Sequence, residues 1–169
     1  ARYLSKNEIP GPMGSRHPSI APFEAFKTKD SHIIIAAGND KLFTKLCDVL
    51  KIPETANDER FNSNSLRCEN MDHLKEIFEK QLSSKSTNEW VKEMEELKIP
   101  CGPIFNIKQA VENPQIKERN MIVKSYHKII GEFKSAGNPI KMSTYKDEET
   151  RGDIPDLDEH REKIIKEFG

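Results

Sequence analysis

The alternation of hydrophobic and polar positions predicts a β-hairpin early in the chain. An alternating segment around Phe23 is followed by three consecutive isoleucines at positions 33–35. Such β-branched runs are typical of buried strands, and the polar residues 29–31 between the two segments favour a turn. We therefore predict two paired strands within residues 22–37.

Farther along the chain, apolar residues recur at three- and four-residue spacing, which predicts amphipathic helices. The first helix covers about residues 40–50, and Pro53 ends it. The second covers residues 65–82. The third begins at the capping-box pattern 86–89, Ser-Thr-Asn-Glu, and the proline-containing segment 99–103 ends it.

The chain changes character after Met121, where short alternating segments predict strands. The whole pattern indicates an α+β fold. It consists of a small domain with a short antiparallel sheet and several helices, followed by a C-terminal strand pair and helix. The remaining predicted elements are short helices near 106–112 and 115–120, strands at 122–126 and 132–135, and a terminal helix that contains Ile164, Ile165 and Phe168.

Charge is abundant but balanced, since 27 basic and 28 acidic side chains give a net charge of -1. Charged residues make up 33% of the chain, against about 25% in typical domains. The balance removes the electrostatic argument for nucleic-acid binding, which needs a strongly basic face. The hydrophobic content of 35% indicates a thin core. Such a core fits either a fragment that buries surface on further polypeptide or a self-sufficient, highly charged domain.

Neither a membrane span nor a signal peptide is predicted. No run of about 18 apolar residues occurs, and residues 1–10 lack an apolar core flanked by basic residues. Cys47, Cys68 and Cys101 are widely spaced, which indicates reduced thiols rather than disulfides or a zinc site. We expect the cytoplasm, or the mitochondrial matrix if a transit peptide lies upstream.

Common catalytic and nucleotide-binding patterns are absent from the sequence. It contains no Gly-x-Ser-x-Gly, no P-loop and no Gly-x-Gly-x-x-Gly, and its five histidines are scattered singly. A lone histidine is more often an ordinary surface or core residue than a catalyst. Because the histidines are single and scattered along the chain, we also predict no metal site.

One segment with chemical potential is the loop 11–18, Gly-Pro-Met-Gly-Ser-Arg-His-Pro. Glycine lets the backbone approach a ligand closely, and exposed backbone amides bind anionic oxygen atoms. Arg16 and His17 are suited to charge-assisted hydrogen bonds with a carboxylate or phosphate. On composition alone, the alternative is a linker between domains.

The second segment is 99–104, Ile-Pro-Cys-Gly-Pro-Ile. Its two prolines impose a rigid turn, which suits either a structural elbow or the wall of a pocket. We do not expect Cys101 to act as a nucleophile, because no histidine is near it in the sequence.

Short motifs follow one another along nearly the whole chain, and each is weak alone. They are Gly14–Phe26, Ile35–Asp40 with Leu42-Phe43, Asp58–Phe61, Arg67 with Asn70, Glu89-Trp90, Ile99–Ile104 with Asn106, Pro114-Gln115, Arg119–Met121, Gly137–Lys141 with Ser143, and Leu157–His160. In their order and spacing they resemble the family III CoA-transferases, the formyl-CoA transferase type. Departures are Asp158 and Ser31, where the family usually has glycine, and Pro12, where many members have arginine.

The resemblance implies a chain of three parts. Residues 1–19 would be a linker and a glycine-containing active-site loop, and residues 20–119 a small α+β domain. Residues 120–169 would be a C-terminal segment that returns to a Rossmann-like large domain. That domain holds the CoA site and the aspartate nucleophile, both from an N-terminal half outside this chain. We therefore expect no catalytic residue here and no activity from this chain alone.

The function implied by the resemblance is acyl-CoA:carboxylate CoA transfer through an aspartyl-linked intermediate. The substrates are an acyl-CoA and a carboxylic acid acceptor, no cofactor is bound covalently, and the full-length protein is expected to be an interlocked homodimer. Substrate binding is assigned to Gly14, Ser15, Arg16 and His17, in a loop that closes over the active site. Arg16 and His17 fit an acceptor with a second carboxylate.

Two alternatives stay open on the sequence. One is a fragment of the related α-methylacyl-CoA racemase, an isomerase, and the other is a non-catalytic acyl-CoA-binding module. The segments 17–22 and 99–103 favour the transferase over the racemase.

Overall fold

The computed structural model describes residues 2–7 and 9–169. These residues form two compact units, of which the first ends at Ile104 and the second is Phe105–Gly169. The α+β fold predicted from the sequence is confirmed. The predicted domain boundaries at 19/20 and 119/120 refer to a longer protein and stay predictions.

The described residues contain the following helices and strands in chain order: α1 (Arg2–Lys6), β1 (Phe23–Lys27), β2 (His32–Ala36), α2 (Asp40–Val49), α3 (Pro53–Ala56), α4 (Asn64–Glu69), α5 (Met71–Leu82), α6 (Thr87–Glu96), β3 (Cys101–Pro103), α7 (Ile107–Glu112), α8 (Pro114–Glu118), β4 (Ile122–His127), β5 (Gly131–Ala136) and α9 (Arg161–Phe168).

The sheet of the first unit is antiparallel, with its strands in the order β1-β2-β3. In the predicted hairpin, Phe26 pairs with Ile33, and both side chains are fully buried. Strand β3 differs from the predicted turn, because it pairs with β2 through Cys101 and Ile35. Pro103 is tolerated there because β3 is an edge strand.

The predicted helix over residues 65–82 is divided at Asn70 into α4 and α5. The Asn70 side-chain amide donates to the carbonyl oxygens of Leu66 at 3.0 Å and Arg60 at 3.3 Å. This side chain therefore binds the end of α4 and the loop before it, which fixes the break between the two helices.

Helix α6 begins at the predicted capping box. The Ser86 N–H donates to the Glu89 carboxylate at 2.9 Å, and the Glu89 N–H donates to Ser86 Oγ at 3.4 Å. Leu97 is 46% exposed because it follows the last turn of the helix. The apolar faces of α2, α5 and α6 pack with the sheet into one core that includes Phe26, Ile33, Ile35, Phe43, Leu46, Phe61, Leu74, Phe78, Leu82, Trp90 and Met94.

Arg67 of α4 is the largest fully buried side chain among the described residues. Its Nε donates to the Ala21 carbonyl oxygen at 2.8 Å, and Nη1 donates to the Phe61 carbonyl oxygen at 3.0 Å. Nη2 donates to Asp40 Oδ1 at 2.8 Å, and the guanidinium lies 4.5 Å from the centre of the Phe43 ring. One side chain thus ties the preceding loop and two segments that are distant in the sequence to α4.

The second unit contains the predicted hairpin of β4 and β5. Just before β4, Asn120 has a φ of +48°, in the left-handed region that asparagine tolerates. Its amide donates to the carbonyl oxygens of Glu148 at 2.9 Å and Asp147 at 3.1 Å. A Cβ atom on Gly137 would lie 2.3 Å from the Asn120 carbonyl oxygen. These contacts explain the residue types in the motifs around positions 120 and 137.

Helix α9 is the predicted terminal helix. Before it, Asp158 has a φ of +69°, a conformation that favours glycine. This backbone accounts for the glycine usual at that position in the family that the sequence resembles. The Asp158 carboxylate accepts a hydrogen bond from Arg161 Nε at 2.7 Å. Ile164, Ile165 and Phe168 are exposed in the described structure.

We expect the substitution Arg67→Met to lower the free energy of unfolding by about 3–5 kcal/mol, because it leaves buried carbonyl groups without a donor. Asp40→Asn is the matched control. Since the Asp40 side chain is 76% exposed, Asp40→Asn should lower the free energy of unfolding by at most about 1 kcal/mol. Urea denaturation followed by circular dichroism measures both. Equal losses would mean that the ion pair, and not the carbonyl contacts, holds Arg67.

Candidate functional site

The loop predicted to bind substrate borders an open groove of about 470 Å³ in the first unit. Residues 12–16 form one side of the groove, and Glu24 of β1 and Lys75 of α5 form the other. Three of the four predicted site residues, Gly14, Ser15 and Arg16, therefore lie together at one cavity. His17 follows them along the chain and lies against β1.

Ser15 and His17 attach this loop to the outer edge of β1. The Ala25 N–H donates to Ser15 Oγ at 3.0 Å, and the His17 N–H donates to the Phe23 carbonyl oxygen at 2.9 Å. The His17 ring also stacks on the Phe23 ring, with the centroids 5.3 Å apart and the planes 8° from parallel. The two residues satisfy backbone groups of an edge strand that the sheet itself leaves unpaired.

Gly14 provides the turn that brings the loop to this edge. Its φ is +63°, a backbone conformation that residues other than glycine rarely adopt. The Arg16 N–H donates to the Met13 carbonyl oxygen at 3.2 Å across the turn. A Cβ atom at Gly14 would meet nothing within 4 Å, so the backbone conformation is what requires glycine here.

Arg16 belongs to a network of five charged side chains. Its Nε donates to Glu24 Oε1 at 2.8 Å, and its Nη2 donates to Asp72 Oδ1 at 2.6 Å. The second Glu24 oxygen accepts from Lys75 Nζ at 2.6 Å, and Glu79 Oε1 lies 3.9 Å from the same Nζ. The hydrogen bond from Arg16 holds the pKa of the Asp72 carboxyl below its usual value. The network contains two cations and three carboxylates, so Arg16 faces the groove already paired with negative charge.

Glu24, Asp72 and Lys75 are site residues that sequence reasoning missed. Asp72 is 56 positions from Arg16 in the chain, so no local pattern connects the two. For Glu24, the sequence did contain a usable signal. Glu24 lies two positions before Phe26 in a predicted strand and therefore on the same, buried face. A buried carboxylate needs a cationic partner.

The cysteines, all within the described residues, are free thiols. Burial raises the pKa of the Cys47 thiol to about 12 and also raises the pKa values of Cys68 and Cys101. A nucleophilic cysteine needs the opposite shift. Residues 2–7 and 9–169 contain no cluster of histidine, cysteine or carboxylate side chains able to hold a metal ion. In the same part of the chain, every helix is too short or too polar to span a membrane.

Several motifs far from the loop have structural roles. Arg60 forms a bidentate contact with Asp58, with Nη2 to Oδ2 at 2.7 Å, and these hydrogen bonds lower the pKa of Asp58 to about 2. The segment around Cys101 is the edge strand β3, on the opposite edge of the sheet from β1 and the loop. The motif residues therefore stabilise the scaffold on which the loop is held.

Comparison with known proteins identifies the family. The model of CoA-transferase family III matches residues 1–161. The chain belongs to this family. Among its family III relatives, the acetyl-CoA:oxalate CoA-transferase of Acetobacter aceti is 40% identical over 166 residues, which cover 98% of this chain and 41% of that enzyme. The human succinyl-CoA:glutarate CoA-transferase is 32% identical over 167 residues, which cover 99% of this chain and 38% of that enzyme.

A solved structure with the same fold is also known. A CaiB/BaiF family protein from Brucella suis matches with a TM-score of 0.75 and 32% identity, over 99% of this chain and 43% of that protein. The chain thus spans about two fifths of the length of these relatives.

We expect the substitution Glu24→Gln to release the loop 11–18 from β1. Because Arg16 and Lys75 are partly exposed, losing their shared carboxylate should cost about 1–2 kcal/mol, which corresponds to a rise in local opening of at least about fivefold. Limited proteolysis with trypsin and mass spectrometry measures this as faster cleavage after Arg16.

Cleavage after Arg67 is the internal control, since Arg67 is fully buried and its cleavage reports unfolding of the whole unit. Glu76→Gln, an exposed acidic residue of α5, is the matched variant and should change neither rate. If Glu24→Gln accelerates both cleavages equally, Glu24 stabilises the unit in general and not the loop.

Proposed function

We propose that this chain is the small domain and C-terminal segment of an acyl-CoA:carboxylate CoA-transferase. The observation that carries the proposal is the family match over residues 1–161, with relatives named as CoA-transferases. The division into an active-site loop (1–19), a small domain (20–119) and a C-terminal segment (120–169) is part of the same proposal. The complete enzyme would be an interlocked homodimer.

In the proposed reaction, an aspartate outside this chain attacks the thioester carbonyl of an acyl-CoA. The products are an acyl-aspartyl anhydride and the CoA thiolate, and the thiolate then attacks the aspartyl carbonyl to release the acid and form an aspartyl-CoA thioester. The acceptor carboxylate attacks this thioester and displaces the CoA thiolate, which leaves an anhydride between the aspartate and the acceptor. The thiolate then attacks the acceptor carbonyl of this anhydride, so that the new acyl-CoA forms and the aspartate is regenerated.

The proposed role of the loop Gly14–His17 is to bind the acceptor and to exclude water from these intermediates. A water-labile anhydride and thioester need such protection. The loop is suited to binding the acceptor because Gly14, Ser15 and Arg16 border an accessible groove, and because Ser15 and His17 fix its position on β1.

We further propose that the acceptor is a dicarboxylic acid. Two relatives are named for the dicarboxylic acids oxalate and glutarate. A guanidinium with two in-plane donor edges suits recognition of a carboxylate, and Arg16 presents such a group at the groove. The names of the relatives also favour a transferase over the racemase and over a module that only binds acyl-CoA.

The first test is CoA transfer by the full-length protein, obtained with the coding sequence upstream of Ala1. We expect it to transfer CoA from acetyl-CoA or succinyl-CoA to oxalate or glutarate, as measured by liquid chromatography and mass spectrometry. The 169-residue chain alone should show no transfer, because the proposed nucleophile lies outside it.

The outcomes that contradict this proposal are distinct. Transfer by the chain alone would place the nucleophile within it. Exchange of the acyl α-proton in deuterated water by the full-length protein would indicate a racemase. Tight binding of CoA esters to the isolated chain, measured by calorimetry, would support the binding module.

The second test concerns the loop. In the full-length enzyme, Arg16→Ala should raise the KM for a dicarboxylic acceptor about tenfold, the effect of losing one charge-assisted hydrogen bond. His17→Ala should raise this KM as well, because the stacking of His17 on Phe23 helps to hold the loop in position. The effect on the KM for acetate as acceptor should be smaller, because acetate has no second carboxylate. An unchanged KM for every acid tested would remove the loop from acceptor binding.

A further inference from the structure

The two carboxylates that contact Arg16 differ strongly in their surroundings. The side chain of Glu24 is 4% exposed, and that of Asp72 is 89% exposed, although each lies within 2.8 Å of the guanidinium. Glu24 also binds Lys75 with its other oxygen. A carboxylate so enclosed cannot leave its partner without being stranded in the interior, whereas an exposed one exchanges its partner for water at little cost.

Asp72 has a second source of stabilisation when it leaves Arg16. It lies in the first turn of α5, a helix of 12 residues, where the unpaired backbone N–H groups favour negative charge. Release from Arg16 therefore returns Asp72 to water at a position that still suits a carboxylate.

The charges around the groove favour such an exchange. Arg16 and Lys75 carry two positive charges, and Glu24, Asp72 and Glu79 carry three negative ones. A ligand carboxylate added to the intact network would make a net negative cluster more negative. If the ligand carboxylate instead replaces Asp72 on Arg16, the number of carboxylates paired with the two cations is unchanged and one exposed contact is exchanged for another.

Building on the proposed function, we propose that Asp72 is a specificity-determining residue of the CoA-transferase. It holds the position on Arg16 that the second carboxylate of a dicarboxylic acceptor takes when that acceptor binds. Because Arg16 is paired in both states, the loop keeps its place on β1 without ligand. A monocarboxylic acid has no second group with which to displace Asp72 and gains nothing from Arg16.

Asp72→Asn in the full-length enzyme tests this inference. The amide is a weaker partner for Arg16, so the ratio of the KM for glutarate to the KM for acetate should fall about two- to fivefold, the usual scale of one exposed charge contact. Glu76→Gln is the control, since it removes one exposed negative charge from the same helix. It should leave the ratio unchanged.

A double variant separates a direct effect from a general one. In an Arg16→Ala background, Asp72→Asn should no longer change the ratio, because the contact it weakens is already gone. The inference is overturned if Asp72→Asn leaves the ratio unchanged or raises it in the native background. It is also overturned if Glu76→Gln lowers the ratio as much, since the cause would then be the overall charge of α5.

These results are distinguishable from a failure of the proposed function. If the unaltered full-length protein transfers no CoA to any acid, the proposed function is wrong and the role of Asp72 falls with it. If transfer to dicarboxylic acids is present and the ratio does not respond to Asp72→Asn, only the assignment of Asp72 is wrong.

Discussion

A buried guanidinium organises the first unit of this family III chain. Arg67 has no exposed surface, and its donors contact the strand entry at Ala21, the helix entry at Asp40 and the loop that ends at Phe61. Most of these acceptors are backbone carbonyls, which cannot find other donors in an apolar core. The cost of leaving them unpaired fixes the relative positions of β1, α2 and α4. One polar side chain thereby adds fixed contacts between segments to the hydrophobic core of the unit.

The position of the loop follows from this arrangement. Arg67 fixes the chain at Ala21, immediately before β1, and β1 carries the partners of the loop: Phe23 for the His17 ring, Glu24 for the Arg16 guanidinium and Ala25 for the Ser15 hydroxyl. Three successive residues of the loop thus contact three successive residues of one strand. Such contacts hold a proline- and glycine-containing segment in place although it has no regular secondary structure.

Local features of the sequence were sufficient to predict much of the fold. The hairpin of β1 and β2 shows in its alternation, and α6 shows in its capping box, because both signals involve residues a few positions apart. The break between α4 and α5 was missed because it depends on hydrogen bonds of the Asn70 side chain. Likewise, β3 exists through its pairing with β2, some 65 positions away. The loop Gly14–His17 was identified from its residue types. The carboxylates around Arg16 come from other parts of the chain, and only the fold brings them next to Arg16.

The attachment of the loop to β1 also protects the sheet. Ser15, His17 and Glu79 occupy the outward backbone groups of Ala25, Phe23 and Lys27, so this edge offers no free row of donors and acceptors. An edge strand stripped of such cover is a template for strand addition by a neighbouring molecule. Any state in which the loop leaves β1 therefore exposes a site for strand addition, so the hydrogen bonds that position the loop also cover this edge.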